Sequence, residues 1–186
     1  MLPKNDIIIK KMKEYCWVFL RERERRMGKI GFTIGKFAPF HKGHEYLIET
    51  ALKETDEFYI IIYDTDIISI PIETRAKWIK NKYKNVKLIY AYNSPSQYGL
   101  DDESVKIQME YLKKQIEGIP VDCFYSSEPY GEKVAQYLGI ENRIVDMQKV
   151  QIPISATKIR ENIEDYKEFL EQEVYEDIIN EQNKWK

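Results

Sequence analysis

A strand-turn-helix pattern near the start of the chain limits the folds open to it. The run from Ile30 to Ile34, IGFTI, is β-rich, and apolar residues at helical spacing follow from about His44 onward. Gly35, Pro39 and Gly43 interrupt regular structure between the two. A strand that turns directly into a helix is typical of a parallel α/β sheet, in which ligands bind at the carboxyl ends of the strands.

The turn itself has the chemistry expected of a phosphate site. Both histidines of the protein, 2 in 186 residues, lie in it as His41 and His44. The helix that starts here offers unpaired N–H groups and the positive end of its dipole to an anion. Gly43 lets a ligand approach the backbone, and Lys36 adds a mobile cation. Either histidine alone is more often a surface or core residue, so the hypothesis depends on their spacing, which lets two imidazoles donate to one phosphate.

A second pattern, far along the chain, also combines a helix start with a cationic side chain. The segment IPISATKIR runs from Ile152 to Arg160. In it Pro153 stops a preceding helix, Ser155 is a favourable N-cap, and Arg160 lies about one turn into the new helix. Alone, this segment is equally compatible with an ordinary capped helix that carries a solvated arginine. Because this segment and the histidine turn occur together in one chain and in this order, coincidence is a poor explanation for the presence of both patterns.

The two patterns resemble two signatures of the nucleotidylyltransferase superfamily. HKGH at His41 to His44 is similar to the HxGH motif, which class I aminoacyl-tRNA synthetases share, and ISATKIR is similar to the ISxTxxR motif. From about Lys29 to the end the chain is similar to nicotinamide-mononucleotide adenylyltransferases of the bacterial kind often fused to a ribosylnicotinamide kinase. The kinase motif GxxxxGK followed by Ser or Thr does not occur in the sequence. The narrower resemblance is carried by the segments from Phe58 to Asp64, Ile70 to Ile79, Phe124 to Glu128 and Arg143 to Asp146.

The resemblance implies an α/β fold, a Rossmann-like doubly wound parallel sheet with a helical C-terminal segment. The pattern along the chain agrees, because strand-like and helix-like runs alternate. The predicted nucleotidylyltransferase domain is 29–186, and 1–28 is an N-terminal extension, either an arm that packs on the domain or a partner, or a start-codon extension before Met27. Strands are predicted at 30–34, 58–63, 86–90, 121–125 and 143–145, and helices at 44–55, 72–83, 104–117 and 131–138, with mostly helical structure from Ala156.

The resemblance also implies roles in adenylyl transfer, in which a phosphorylated acceptor displaces pyrophosphate from ATP. His41 and His44 would hold the triphosphate and stabilise the transition state, while Lys36 and Arg160 would bind phosphate oxygens. Mg2+ is expected to accompany ATP, and no protein-bound metal is expected. The implied ATP-binding residues are Gly35, Phe37, Gly43, Ser155, Ala156 and Thr157, with Ser155 and the Thr157 backbone anchoring the β and γ phosphates. Weaker assignments for acceptor or adenine contacts are Arg75, which is more typical of a solvated helix residue, Tyr98 and Ser127.

The acceptor is less constrained than the reaction. Relatives carry a tryptophan platform for the nicotinamide ring after the third strand, whereas this chain reads NSPSQYGLDD from Asn93 to Asp102 and offers Tyr98 for stacking. Nicotinamide mononucleotide is the expected acceptor. A cytidylyltransferase, or an adenylyltransferase for another phosphorylated acceptor such as phosphopantetheine, stays open. So does a non-catalytic nucleotide sensor or a synthetase-like RNA binder, which only the charged run from Arg21 to Arg26 favours.

Composition limits the class of protein, its cellular compartment and the kinds of partner that it can bind. Hydrophobic residues make up 43% and charged residues 32% of the chain, as in a globular protein. The net charge of -2 gives no basic field for nucleic acid. Cys16 and Cys123 form no disulfide framework, and the apolar run from Tyr15 to Leu20 is too short to span a membrane. Composition therefore predicts a cytoplasmic protein with no nucleic-acid partner and no membrane partner. The resemblance implies ATP and a phosphorylated small molecule as its partners, and a homo-oligomer stays open.

Overall fold

A five-stranded parallel sheet organises the part of the chain that the computed structural model describes, which is residues 28–95 and 102–183. The strand order is β3-β2-β1-β4-β5, so the direction of winding reverses between β1 and β4. In open α/β sheets such a reversal opens a crevice at the carboxyl ends of the two strands. The predicted doubly wound parallel sheet is confirmed. Its strands are β1 (Ile30–Gly35), β2 (Glu57–Tyr63), β3 (Lys87–Ala91), β4 (Cys123–Ser126) and β5 (Glu141–Ile144).

Helices cover both faces of the sheet. They are α1 (Lys42–Glu54), α2 (Ile72–Lys82), α3 (Asp102–Gln115), α4 (Gly131–Leu138), α5 (Ala156–Glu161) and α6 (Gln172–Asn183), with a 3-10 helix at Glu164–Phe169. α1, α2, α5 and α6 pack in the core on one face, and α3 and α4 pack in the core on the other. The helical C-terminal segment is confirmed. None of the helices in the described ranges is long and apolar enough to cross a membrane.

Strand β2 shows why the sheet is covered on both sides. Phe58, Ile60 and Ile62 belong to the core formed with α1 and α2, whereas Ile61 belongs to the core formed with α3 and α4. This alternation follows from the pleat of a strand, which points successive side chains to opposite faces. A strand buried on both faces is a near-continuous apolar run, and the sequence of β2, EFYIIIY, is such a run.

The element boundaries lie within about two residues of the predicted ones, and the largest differences have local causes. β4 begins at Cys123 and not at Val121, because the Val121 N–H donates to the Ile119 carbonyl at 2.8 Å in a turn before the strand. β5 begins at Glu141 and not at Arg143, since it pairs in parallel register with the whole of β4. The predicted N-terminal extension lies outside the described residues except for Gly28.

Candidate active site

A cleft of about 280 Å³ lies at the carboxyl end of the sheet, at the reversal between β1 and β4. Its walls are formed by the segments that follow β1, β4 and β5 and by the start of α5. The fold therefore brings together two motifs that are more than a hundred residues apart in the sequence. The predicted site residues that line the cleft are His41, Gly43, His44, Ser127, Ser155, Ala156 and Thr157.

The two histidines form the N-terminal cap of α1. His41 is the N-cap residue, and its Nδ1 accepts a hydrogen bond from the Gly43 N–H at 3.1 Å. The Nδ1 of His44 accepts a hydrogen bond from the His41 N–H at 3.3 Å. This is a capping box in which imidazole nitrogens replace the usual hydroxyl and carboxylate acceptors. The helix was predicted to start at His44 but starts at Lys42, because the His41 side chain satisfies an N–H of the first turn.

Gly43 is required by this cap. A Cβ at position 43 would lie 2.9 Å from Cε1 and 3.0 Å from Nδ1 of His41, too close for the imidazole to keep its position. The close approach to the Gly43 backbone that the sequence predicted for a ligand is thus already made by the His41 ring. A side chain at position 43 would displace that ring and break its hydrogen bond.

The hydrogen bonds determine which nitrogen of each ring can donate. A neutral imidazole whose Nδ1 accepts a hydrogen bond carries its proton on Nε2. Burial, together with the ammonium of Lys149, which repels the imidazolium, lowers the pKa of His41 to about 4. Burial also holds the pKa of His44 well below its ordinary value, with smaller contributions from His41 and Lys149. The two rings, stacked with centroids 3.8 Å apart, are therefore neutral at pH 7, and each has one Nε2–H donor.

The second motif forms another wall of the cleft and is tied to the first. Ser155 caps α5, and its Oγ accepts a hydrogen bond from the Lys158 N–H at 3.3 Å. The Arg160 guanidinium donates to the Ala38 carbonyl at 2.6 Å and to Thr157 Oγ1 at 3.2 Å. Arg160 lines an adjoining apolar cavity of about 250 Å³ and not the cleft itself. The guanidinium predicted to bind phosphate oxygens therefore connects α5 to the turn before α1.

Three predicted residues of the first turn, Gly35, Lys36 and Phe37, do not line the cleft. The Phe37 side chain is 3% exposed, and its ring packs on the His44 ring with centroids 4.8 Å apart. Phe37 thus packs against His44, and its side chain is part of the core. The carbonyl of Lys36 accepts a hydrogen bond from the Arg75 guanidinium.

Arg75 is buried and positions the turn. Its side chain is 1% exposed, so the prediction of a solvated helix residue is wrong. Besides the Lys36 carbonyl, the guanidinium donates to the carbonyls of Tyr63 at 2.9 Å and Ile70 at 3.2 Å. These contacts tie the carboxyl ends of β1 and β2 to the segment before α2, and they occupy donors that the sequence had assigned to a substrate. Tyr98, another of the weaker assignments, lies outside the described residues.

Two charged residues after β5, Asp146 and Lys149, line the cleft, and neither was among the predicted site residues. The Asp146 carboxylate accepts hydrogen bonds from the N–H groups of Val150 at 2.8 Å, Gln151 at 3.1 Å and Ile152 at 2.9 Å. The resulting turn places Lys149, with φ 54°, in the wall of the cleft. An Asp after a strand is a recognisable turn signal. Nothing in the spacing, however, indicates which residue of the turn faces a ligand.

Clustered metal ligands are not found in the described ranges, where no group of three or more His, Cys, Asp or Glu side chains could hold a metal ion. Two carboxylates line the cleft, those of Glu128 and Asp146. The second of these is occupied by the three backbone N–H groups of its own turn.

Comparison with known sequences identifies one family and several similar curated proteins, among them two NadR proteins. The family model described as the citrate lyase ligase C-terminal domain matches residues 31–151. The trifunctional NAD biosynthesis/regulator protein NadR of Salmonella typhimurium is 32% identical over 171 residues, which cover 82% of this chain and 41% of that protein. NadR of Escherichia coli is 33% identical over 172 residues with the same coverage. The chain thus spans about two fifths of the length of these curated relatives.

Solved structures share the architecture. NadR in complex with NAD and AMP-PNP aligns with a TM-score of 0.57 and 23% identity, covering 77% of this chain and 44% of that chain. The bifunctional NMN adenylyltransferase/ADP ribose pyrophosphatase of Francisella tularensis aligns with a TM-score of 0.56 and 17% identity, covering 84% and 54%. At such identities the likeness shows the fold alone. It confirms the Rossmann-like α/β architecture around the cleft.

Proposed function

The chain belongs to the family described as the citrate lyase ligase C-terminal domain, and from this premise we propose that it transfers AMP from ATP to nicotinamide mononucleotide, forming NAD and pyrophosphate. The observation that carries the proposal is the pair of neutral imidazoles, His41 and His44, that line one cleft together with Ser155. Sequence identity of 32% and 33% to NadR proteins supports a nucleotidylyltransferase of NAD biosynthesis.

The proposed chemistry is a direct displacement at phosphorus. A phosphate oxygen of the acceptor attacks the α-phosphorus of ATP in line and forms a new P–O bond. The bond from that phosphorus to the oxygen bridging the α and β phosphates breaks, and pyrophosphate leaves with the electron pair. Such a reaction requires positioning and charge stabilisation and no covalent nucleophile.

Two neutral Nε2–H donors suit this reaction. Negative charge spreads over the oxygens of the transferred phosphoryl group as the bonds exchange, and preorganised donors lower the free energy of that state. Because Nδ1 of each ring is held by a backbone N–H, the donor nitrogens are fixed before the nucleotide arrives. Rings that are neutral at pH 7 keep this donor arrangement without a proton being gained or lost.

Mg2+ is proposed to enter as part of the MgATP substrate, where it neutralises charge on the phosphates and on the departing pyrophosphate. The residues of the cleft are compatible with this form of entry. The two carboxylates that line the cleft belong to Glu128 and Asp146, and the Asp146 carboxylate accepts hydrogen bonds from its own turn. The described residues of the cleft therefore do not form a set of oxygen ligands for a bound cation.

The test is a screen for pyrophosphate release, with ATP and CTP each paired with nicotinamide mononucleotide, phosphopantetheine and a sugar phosphate. We expect release that requires both ATP and nicotinamide mononucleotide, with NAD identified by chromatography. Release with phosphopantetheine or a sugar phosphate, and none with nicotinamide mononucleotide, would overturn the acceptor and leave nucleotidyl transfer standing. ATP binding without release in any pair would favour the nucleotide sensor.

A further inference from the structure

A nucleoside triphosphate in this cleft needs a cation, and the motif residues that line the cleft carry none at pH 7. Triphosphate is a multiply charged anion, and removing it from water is costly unless the protein supplies opposite charge. The imidazoles of His41 and His44 are neutral at pH 7. The Arg160 guanidinium donates to the Ala38 carbonyl and to Thr157, and it faces the adjoining cavity. Among the described residues that line the cleft, Lys149 is the one with a cationic side chain.

The backbone holds Lys149 in an uncommon conformation. Its φ of 54° lies in the left-handed region, which side chains other than glycine rarely adopt. The Lys149 N–H donates to the Asp146 carbonyl at 2.8 Å, and the three N–H groups that follow Lys149 donate to the Asp146 carboxylate. A costly conformation that the surrounding hydrogen bonds enforce is typical of residues held for a function.

Among the described residues, the ammonium of Lys149 has one loose partner, Glu128. Its Nζ lies 3.9 Å from Oε1 of Glu128, at the outer limit of an ion pair. The two side chains are 39% and 66% exposed, and ion pairs between such exposed groups contribute little. A phosphate oxygen can therefore replace the Glu128 carboxylate at small cost.

We propose that Lys149 binds the triphosphate of the nucleotide, its ammonium moving from Glu128 to a phosphate oxygen that the histidines share. This inference rests on the proposed function, because it assumes a nucleoside triphosphate in the cleft. It concerns a residue outside both motifs, and it assigns to Lys149 the phosphate contact that the sequence had given to Arg160 and Lys36.

The test compares K149M with the matched variant K158M, which removes the same charge from an exposed position on α5. Calorimetry would measure the binding of MgATP, inorganic tripolyphosphate and adenosine to each. We expect K149M to weaken binding of MgATP and tripolyphosphate by about tenfold or more, since a hydrogen bond to a charged group is lost. Adenosine binding should not change, and K158M should bind all three as the parent does. The difference between K149M and the parent should narrow as ionic strength rises, because salt screens the contact.

A second variant guards against a fold defect. K149N also removes the charge, but Asn tolerates the left-handed backbone at this position. If K149M and K149N both bind MgATP weakly and both keep the parental melting temperature, the loss of affinity is due to the missing ammonium and supports the contact. MgATP affinity equal to that of the parent in both variants would overturn the inference, even if the parent makes NAD. Loss of MgATP affinity in both variants, with no AMP transfer by the parent to any acceptor, would uphold the Lys149 contact and overturn the proposed reaction. A parent that binds neither MgATP nor tripolyphosphate would overturn both.

Discussion

Each histidine of the first motif uses its two ring nitrogens for different purposes. The Nδ1 atoms of His41 and His44 accept hydrogen bonds from the N–H groups of Gly43 and His41, respectively, so they stabilise the start of α1. The Nε2 atoms remain available as donors in the cleft. The spacing of the motif is the spacing of a capping box, in which the N-cap residue and the third helical residue satisfy each other. Helix capping and the proposed phosphate binding therefore use the same two positions.

Substitution of His41 can separate the two roles. Asn is a favourable N-cap residue whose side-chain oxygen can replace Nδ1, whereas Ala provides no acceptor. We expect His41→Asn to remain within about 0.5 kcal/mol of the parental free energy of unfolding and His41→Ala to lose about 1 kcal/mol, as measured by urea denaturation. Both should lower kcat by about 100-fold or more, because both lack the Nε2–H donor. His41→Asn with parental kcat would show that the cap alone matters.

The rate effect should extend to His44. His44→Ala removes a donor that acts on charge in the transition state, so kcat should fall by about 100-fold or more while ATP affinity stays within about fivefold. Equal turnover in the variant and the parent would contradict this role.

The low pKa of His41 predicts a pH dependence of stability. The pKa is about 4 in the folded protein and 6.5 in the unfolded chain, so the unfolded state binds more protons between these values. The free energy of unfolding should therefore fall as the pH decreases from 6.5, and the full loss of about 3 kcal/mol from this group should be reached below pH 4. Urea denaturation of the parent and of His41→Asn across this pH range measures the contribution of His41. The carboxylates titrate in both proteins, so their effect cancels in the difference. Parallel pH profiles for the two proteins would contradict the low pKa.

Short motifs made part of the site predictable. The sequence pointed to His41, His44 and Ser155 because each caps a helix, and a helix cap depends on residues within a few positions of one another in the chain. Lys149 was not found, because it reaches the cleft through a left-handed turn that depends on the Asp146 carboxylate. The burial of Arg75 was missed for a related reason, since its three carbonyl partners come from segments that only the folded sheet brings together.

At the scale of elements, Arg160 is the connection between the two halves of the site. Its guanidinium joins α5 to the Ala38 carbonyl in the turn before α1, so the second motif is held against the first.

The elements could be predicted where residues close together in the sequence determine them. The types and order of strands and helices follow from periodicity. The ends of β4 do not, because that strand is only 4 residues long and its register with β1, Gly31 opposite Cys123, is a long-range contact.

Removal of this connection should affect both stability and nucleotide binding. Arg160→Ala should lower the melting temperature, since the Ala38 carbonyl loses a charged donor, and should raise the KM for MgATP by about tenfold, because the walls of the cleft are no longer held together. Lys158→Ala, an exposed change on the same helix, is the matched control. A lower melting temperature with a parental KM would limit Arg160 to a structural bridge, and no change in either would contradict the connection.

At the scale of the whole molecule, the C-terminal helices complete the core beneath the site. The family model matches residues 31–151, but the core on the α1 face continues beyond it through Ile154, Ile159, Leu170 and Val174. Polar contacts hold α6 in place, among them the hydrogen bond from Trp78 Nε1 to Asp177 at 2.7 Å. The segment that carries the second motif therefore folds as part of the same unit as the sheet.

This arrangement predicts that a defect in α6 weakens the entire domain. Val174 is 1% exposed, so Val174→Ala leaves a cavity in the core and should lower the free energy of unfolding by about 2 kcal/mol. Val150→Ala makes the same chemical change at a position that is 69% exposed, and its effect should stay within about 0.5 kcal/mol. Urea denaturation followed by both far-ultraviolet circular dichroism and tryptophan fluorescence should give one coincident transition, which shifts as a whole in Val174→Ala. If α6 were an appendage, Val174→Ala would leave the main transition of the sheet unchanged, because the remaining core would unfold independently of it.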